Sequence, residues 1–171
     1  DNAKNFKDKE EFYYLEFGVW KGKSANLFSK YLRKLYVFDS FQGLNEEWTG
    51  NMWKGSFDMG GKLPKLNKNV IPIVGFVEDT LDQFLNEHSP KINFVHLDMD
   101  LYKPTKFTLE KIKPYLVNGA IILFDEIYNF PNWEYGEYKA LTEVFDKESY
   151  KFRIFNLRNS QACIEVNIKD K

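Results

Sequence analysis

Acidic residues stand at the ends of four apolar runs of strand length: Glu16, Asp39, Asp98 and the pair Asp125 and Glu126. If these runs are parallel strands of one sheet, their carboxyl ends meet at one edge, which is where open α/β sheets bind ligands. So many carboxylates along one edge are more than solubility requires. The pattern therefore predicts a binding site that uses carboxylates.

The sharpest segments are HLDMDLY and the later FDE. Adjacent strands lie ~4.8 Å apart, so Asp98, Asp125 and Glu126 converge if their two strands are neighbours. Uncompensated carboxylates repel one another, and a hard divalent cation with oxygen ligands relieves that repulsion. We therefore predict that these three residues bind Mg²⁺ or another divalent cation, with scattered surface acids as the alternative. Asp100 lies just past the strand and is the predicted base for a metal-activated hydroxyl.

A second candidate site surrounds the first strand end, whose sequence is EFGVWKGKS. Gly18 and Gly22 let the backbone pass close to a ligand, and Ser24 can cap the next helix. Asp39 can accept both hydroxyls of a ribose. Together these features favour a ligand that contains adenosine. Taken singly, they fit a tight turn and a turn-initiating Asp before Ser40 equally well.

Two further acids, Glu78 and Asp79, precede a predicted helix. They either contact the adenine end of such a ligand or simply favour the helix dipole.

The elements that must position these residues alternate between strand and helix, which favours a doubly wound α/β fold. The first strands are nearly continuous apolar runs, typical of parallel strands covered on both faces. The last two have only a short linker and should pair as an antiparallel hairpin. Strands are predicted over 13–18, 35–39, 70–75, 92–98, 120–125, 152–156 and 162–166, and helices over 24–34, 80–88, 104–116 and 135–147.

The stretch 42–69 breaks this alternation and is rich in glycine and tryptophan. A long segment without regular structure is uncommon in a compact domain unless it is functional. We predict a flap beside the binding cleft, with a plain surface excursion as the alternative.

The composition excludes several classes of function. The 171 residues fit a single domain over 1–171, and 24 basic against 25 acidic residues give a net charge of −1, which creates no field for nucleic acid or an anionic membrane. No apolar run approaches the ~20 residues of a membrane span, and no secretory signal is visible. The single cysteine, Cys163, fits a reducing compartment, so a cytoplasmic location is expected. The many aromatic residues leave self-association into a homo-oligomer open.

Five segments together resemble the macrocin O-methyltransferase (TylF/MycF/NovP) family: EFGVWKGKS, VFDSFQGL, GFVEDTL, HLDMDLYKPTKFTLE and GAIILFDE. The resemblance covers about residues 14–145. It implies a class I, Rossmann-like methyltransferase fold, in which a mostly parallel seven-stranded sheet ends in an antiparallel hairpin. It also implies S-adenosylmethionine and a divalent metal as cofactors, and a small carbohydrate-containing substrate that is methylated on a hydroxyl.

Matched by position, Asp98, Asp125 and Glu126 correspond to the family's metal ligands and Asp100 to its general base. The family more often has Asp-Asp at the second pair, so Glu126 is a ligand with a longer arm. Family members also usually have a longer N-terminal helical region. The cofactor site corresponds to Glu16, Gly18, Asp39 and Ser40, with Glu78 and Asp79 at the adenine end.

Two alternatives come from other classes of protein. Asp98-Met-Asp100 is formally a DxD motif, which in glycosyltransferases holds a metal and a nucleoside diphosphate. The acid at the end of the second strand and the second acidic pair argue against that activity. The other alternative is a cofactor-binding module without catalysis.

Overall fold

The structure is a computed structural model that describes residues 11–48 and 52–168. Its strands form one 7-stranded sheet in the order β3-β2-β1-β4-β5-β7-β6. The strands are β1 Phe12–Phe17, β2 Leu35–Asp39, β3 Val70–Val74, β4 Lys91–Leu97, β5 Leu116–Phe124, β6 Tyr150–Phe155 and β7 Ala162–Val166. The helices are α1 Lys23–Phe28, α2 Val77–His88, α3 Tyr102–Ile112 and α4 Glu137–Val144.

The sheet confirms the predicted α/β fold. Strands β1 to β5 pair in parallel, whereas β7 runs antiparallel to both β5 and β6. The chain first builds outward from β1 to β3 and then returns to place β4 on the other side of β1. Ligands of doubly wound folds bind at this reversal, beyond the carboxyl ends of the strands.

Apolar side chains bury both faces of the sheet. On one face Leu15, Leu97 and Phe124 belong to a large cluster that includes side chains from α2, α3 and α4. On the other face Tyr14 and Val37 belong to a smaller cluster that includes Ala25 of α1. Burying a large apolar side chain contributes about 1.5–3 kcal/mol, so these clusters fix the strand ends that carry the acids.

The first helix is shorter than predicted. The periodicity predicts a helix over 24–34, but α1 ends at Phe28. The side-chain amide of Asn69 donates hydrogen bonds to the backbone carbonyls of Ser29 and Leu32, at 2.8 and 2.7 Å. A long-range contact thus satisfies carbonyls that a continuing helix would have used, which local periodicity cannot show.

The second helix begins earlier than predicted. It starts at Val77, after Phe76, rather than at Thr80. The Thr80 hydroxyl instead donates back to the carbonyl of Phe76 at 3.0 Å, and Gln83 donates to Glu87 at 2.7 Å.

The structure describes the predicted flap, residues 42–69, except for residues 49–51. It contains short turns and contacts the rest of the molecule at several points. Trp48 packs against Phe130 with ring centroids 5.9 Å apart, and Phe57 packs against Trp20 at 5.3 Å. These contacts hold the segment beside the carboxyl edge of the sheet, where Trp48, Met52 and Phe57 line a cavity; that it acts as a flap stays a prediction. Within the described residues, no helix is both long and apolar enough to cross a membrane.

Candidate functional site

A cavity of about 420 Å³ opens at the carboxyl edge of the sheet, where the strand order reverses. The strand ends supply its acidic residues, and the flap and the start of α3 supply apolar walls. Its lining includes Gly18, Trp20, Asp39, Ser40, Trp48, Met52, Glu78, Asp98, Asp100, Leu101, Pro104, Asp125 and Glu126.

Gly18 forms the floor of the turn after β1. Its φ of +85° is a conformation that side chains disfavour, and a Cβ at this position would lie 1.7 Å from the backbone oxygen of Asp98. Only glycine therefore lets the end of β1 pass the end of β4 this closely. Gly18 also lines the cavity.

Asp39 holds the same turn through its carboxylate. Its Oδ2 accepts hydrogen bonds from the backbone N–H groups of Val19 and Trp20, at 2.7 and 2.9 Å. Its Oδ1 accepts from the N–H of Phe41 at 2.7 Å. A carboxylate offers about four acceptor positions, so one remains for a ligand hydroxyl. Asp39 thus shapes the turn and also faces the cavity.

The predicted cofactor residues divide into two groups. Gly18, Asp39, Ser40 and Glu78 line the cavity. The other four, Glu16, Gly22, Ser24 and Asp79, are not among its lining residues.

Glu16 is fully buried behind the turn, where its Oε1 accepts from Ser24 Oγ at 2.5 Å. Gly22 packs against Leu66, and Asp79 is exposed in the first turn of α2. Direct contact of these residues with a cofactor therefore stays a prediction.

The predicted metal residues form two overlapping groups that share Asp98. Oxygen atoms of Asp98, Asp100 and Glu126 lie within 4.8 Å of one another. A second group joins Asp98 and Asp125 with a ring nitrogen of His96. The two adjacent acids Asp125 and Glu126 thus fall in different groups, although their side chains also interact with each other.

The first group is electrostatically strained. Burial raises the pKa of Asp98 to about 7, and repulsion from Asp125 adds to the rise. Burial and repulsion from neighbouring acids also raise the pKa values of Asp100 and Glu126. Oε2 of Glu126 is buried and has no hydrogen-bond partner. A cation among these oxygens would satisfy that atom and offset the repulsion.

Asp125 has a different environment. Burial alone would raise its pKa, but the nearby His96, Glu126 and Gln161 side chains outweigh burial and hold the pKa at about 2. The side-chain amide of Gln161 donates to Oδ1 of Asp125. His96 lies between two acids, with Nδ1 3.1 Å from Oε1 of Glu16 and Nε2 3.9 Å from Oδ1 of Asp125. Although burial opposes its charge, these acids raise the pKa of His96 to about 10.

Three residues near the acids were missed by sequence reasoning: His96 as an ion partner, Gln161 and Glu137. Glu137 is fully buried at the start of α4, and its Oε2 accepts the backbone N–H of Glu126 at 3.0 Å. Burial raises its pKa well above the ordinary range. No local pattern marks Glu137, because its surrounding sequence is an ordinary amphipathic helix.

Comparison with known proteins identifies the type of domain. A family model described as a methyltransferase domain matches residues 15–127, which include all the residues that line the cavity. The chain belongs to this methyltransferase family. The Asp98-Met-Asp100 motif therefore lies in a methyltransferase domain rather than in a glycosyltransferase. No curated protein sequence matches the chain significantly.

Solved structures share the fold of this methyltransferase. A crystal structure of CalS11, a calicheamicin methyltransferase, is 26% identical, has a TM-score of 0.78, and is matched over 96% of this chain and 76% of its own. An apo structure of CalS11, described as a TDP-rhamnose 3'-O-methyltransferase, has a TM-score of 0.67 at 26% identity, with 90% of this chain and 72% of that one covered. The O-methyltransferase NovP, at 18% identity, has a TM-score of 0.67 over 92% of this chain and 72% of its own.

The methyltransferase fold implies S-adenosylmethionine as cofactor, and the residues present fit such a group. Gly18 lines the cavity with backbone atoms alone, just after β1. Asp39 presents a carboxylate to the same cavity. For a divalent cation, the fit rests on the clustered oxygens of Asp98, Asp100 and Glu126.

Proposed function

We propose that this chain is a divalent-cation-dependent O-methyltransferase of the macrocin O-methyltransferase type, which transfers a methyl group from S-adenosylmethionine to a hydroxyl of a carbohydrate. One observation carries the metal dependence: the oxygens of Asp98, Asp100 and Glu126 cluster within 4.8 Å in a cavity of a methyltransferase domain. The similarity to CalS11, described as a TDP-rhamnose 3'-O-methyltransferase, supports a sugar acceptor.

The proposed chemistry uses the two ends of the cavity. When bound, S-adenosylmethionine supplies the methyl group, and a divalent cation supplies positive charge that favours ionisation of the acceptor hydroxyl. Gly18 and Asp39 form the donor end, and Asp98 and Glu126 the cation end. The acceptor hydroxyl would give its proton to a carboxylate of the protein as it receives that methyl group, which would leave S-adenosylhomocysteine.

Asp100 is the proposed acceptor of that proton. It lies within the same group of oxygens as Asp98 and Glu126, and its backbone adopts a φ of 63°, in the left-handed region. Such a conformation in a non-glycine residue costs energy and is concentrated at functional sites. Its raised pKa lies closer to neutral pH than that of an ordinary carboxyl, as suits a general base.

The third cation ligand is either Asp125 or Asp100. We favour Asp125, which corresponds by position to the family's metal ligand and shares one of the two groups with Asp98. Gln161 occupies Oδ1 of Asp125, so Oδ2 is the atom proposed to face the cation.

Calorimetry tests the proposal directly. S-adenosylmethionine should bind the wild-type protein in the micromolar range, and Mg²⁺ should bind separately and be removed by chelator. Asp98→Ala should abolish Mg²⁺ binding while the protein remains folded. The matched control is Asp82→Ala, which removes a carboxylate that pairs with Lys111 on the surface and should leave both affinities unchanged.

Two results would count against the proposal. Unchanged Mg²⁺ binding in Asp98→Ala would contradict the proposed metal site. Absence of S-adenosylmethionine binding in the wild type would contradict the proposed methyl donor. Donor binding without transfer to any acceptor would instead favour a non-catalytic module.

A further inference from the structure

We propose that His96 is a positioning residue for the cation site: its ring, anchored on Glu16, holds the Asp125 carboxylate so that Oδ2 faces the cation. This inference rests on the proposed function and adds to it the side chain that orients a metal ligand. His96 is 3% exposed and is not among the residues that line the cavity, so it acts through Asp125 and not on a ligand directly.

A buried acid anchors the His96 ring at Nδ1. His96 in β4 and Glu16 in β1 are register partners, so their side chains project from the same face of the sheet. Nδ1 lies 3.1 Å from Oε1 of Glu16, which is fully buried. The same Oε1 accepts a hydrogen bond from the hydroxyl of Ser24 at 2.5 Å, so the acid is itself tied to α1.

An aromatic contact fixes the plane of the His96 ring. Phe28, the last residue of α1, packs against it in a T-shaped arrangement, with centroids 5.2 Å apart and ring planes at 75°. A side chain whose rotamer is fixed by packing and by a polar partner positions its remaining polar atom well. That remaining atom is Nε2, which lies 3.9 Å from Oδ1 of Asp125.

Two side chains from different strands approach the same oxygen of Asp125. His96 approaches Oδ1 from β4, and the Gln161 amide donates a hydrogen bond to it from just before β7. Because β4 and β7 are the two neighbours of β5, the carboxylate that follows β5 is held from both sides. Its other oxygen, Oδ2, is left for the cation, and outer partners of this kind commonly orient ligating carboxylates.

The alternative role for His96, as a cation ligand, fits the site less well. A ring nitrogen of His96 does lie within 4.8 Å of oxygens of Asp98 and Asp125. Mg²⁺ prefers oxygen ligands, however, and both acids line the cavity whereas His96 does not. The ring therefore supports a ligand and is not one itself.

NMR of the imidazole rings tests this role in the wild type, because the chain contains only two histidines. Titrating Mg²⁺ into the protein should shift the ring signals of His96. His88 is the internal control, since it is exposed at the end of α2 and packs beside Tyr36, near the amino end of β2. Its signals should stay unchanged, and unshifted His96 signals at saturating Mg²⁺ would overturn the inference.

Two substitutions separate the two nitrogens of the ring. An Asn amide reaches about as far as Nδ1 of histidine and a Gln amide about as far as Nε2, and both are donors. His96→Asn thus keeps a donor for Glu16 but no longer reaches Asp125, whereas His96→Gln still reaches it. In calorimetry we expect His96→Asn to weaken Mg²⁺ binding about ten-fold and His96→Gln to weaken it less than about three-fold.

A purely structural role would affect both His96 variants equally, because each places a neutral amide at the same buried position. Equal Mg²⁺ affinities of the two variants would therefore overturn the inference. Phe94→Leu is the packing control: it removes a ring of the same strand that packs on Phe28 at 5.3 Å, and it should leave the Mg²⁺ affinity unchanged.

Failure of the proposed function gives a different result. The wild type itself would then bind no Mg²⁺, which would contradict the proposed metal site and the role of His96 together. Mg²⁺ binding by the wild type with equal affinities of the two His96 variants would contradict the role of His96 alone.

Discussion

Gln161 donates a hydrogen bond from its side-chain amide to Oδ1 of Asp125, so the C-terminal hairpin reaches the candidate metal site. Its own Oε1 accepts from Asn156 Nδ2 at 3.0 Å, which fixes the orientation of the amide. In the same hairpin, the backbone carbonyl of Ser160 accepts a hydrogen bond from the N–H of Ile127, at 3.0 Å. Asp125 is thus oriented from outside its own strand.

Gln161→Leu should therefore weaken Mg²⁺ binding about ten-fold, since partners that orient a metal ligand typically contribute that much affinity. Calorimetric titration of Mg²⁺ is the measurement. Asn159→Leu, an exposed position in the same turn, is the control and should bind Mg²⁺ like the wild type. An unaltered Mg²⁺ affinity in Gln161→Leu would show that the hydrogen bond does not position a ligand.

Asp100→Asn should lower the rate of methyl transfer, whereas Asp125→Asn should lower the affinity for Mg²⁺. We expect Asp125→Asn to weaken Mg²⁺ binding, because it removes an ionised ligand. Asp100→Asn should keep Mg²⁺ binding and lower kcat by about 100-fold, a typical contribution of a general base. Parallel measurements of Mg²⁺ affinity and methyl transfer check both. Loss of the metal in Asp100→Asn would make Asp100 the ligand instead.

Gly18→Ala should destabilise the fold far more than the same change at Gly55. Both glycines have nearly the same φ, +85° and +87°, but the added Cβ would collide with Asp98 at Gly18 and meet open space at Gly55. We expect Gly55→Ala to cost about 1 kcal/mol from the backbone conformation, and Gly18→Ala more than about 3 kcal/mol. Urea denaturation measures both free energies of unfolding, and similar losses would mean that the turn relaxes easily.

The metal-free protein should lose stability as pH rises. The pKa of Asp98 is raised to about 7 and that of Asp100 to about 8, so the folded state holds protons that the unfolded chain releases near pH 4. That stabilisation is complete below about pH 4 and is lost as pH rises through about 7 and 8. His96, with its pKa raised to about 10, changes stability in the same direction.

In chelator, the Tm should accordingly fall between about pH 5.5 and about pH 8.5. Added Mg²⁺ should raise the Tm more at the higher pH, because protons no longer compete for the carboxylates. Asp98→Asn should show a shallower fall. A Tm that is independent of pH in chelator would contradict the conclusion that these buried carboxylates repel one another.

The sequence was sufficient to predict the fold because its signals are local and repeated. β2 and β7 have the predicted bounds, and the short linker before Ala162 correctly indicates the antiparallel hairpin. Errors occurred where a distant residue decides an end, as Asn69 does for α1. A side-chain amide that bonds backbone carbonyls of a distant segment produces no periodic pattern in the sequence.

The site was predictable at the level of strand ends but not of side-chain direction. Strand pairing brings Asp98 close to Asp125 and Glu126, as the spacing indicates. Whether each carboxylate faces the cavity depends on partners such as Gln161 and Glu137, which come from other elements. These partners are ordinary residues in ordinary segments, so only the folded arrangement reveals them.

The contact between the hairpin and Asp125 also orders events during synthesis. Asp98, Asp100 and Asp125 leave the ribosome before Gln161, so a nascent chain holds the acids before it holds the amide that orients one of them. Domains fold largely as their residues emerge. The proposed cation site is therefore completed late, when β7 pairs with β5, and chains that end before Gln161 would lack the amide that orients Asp125.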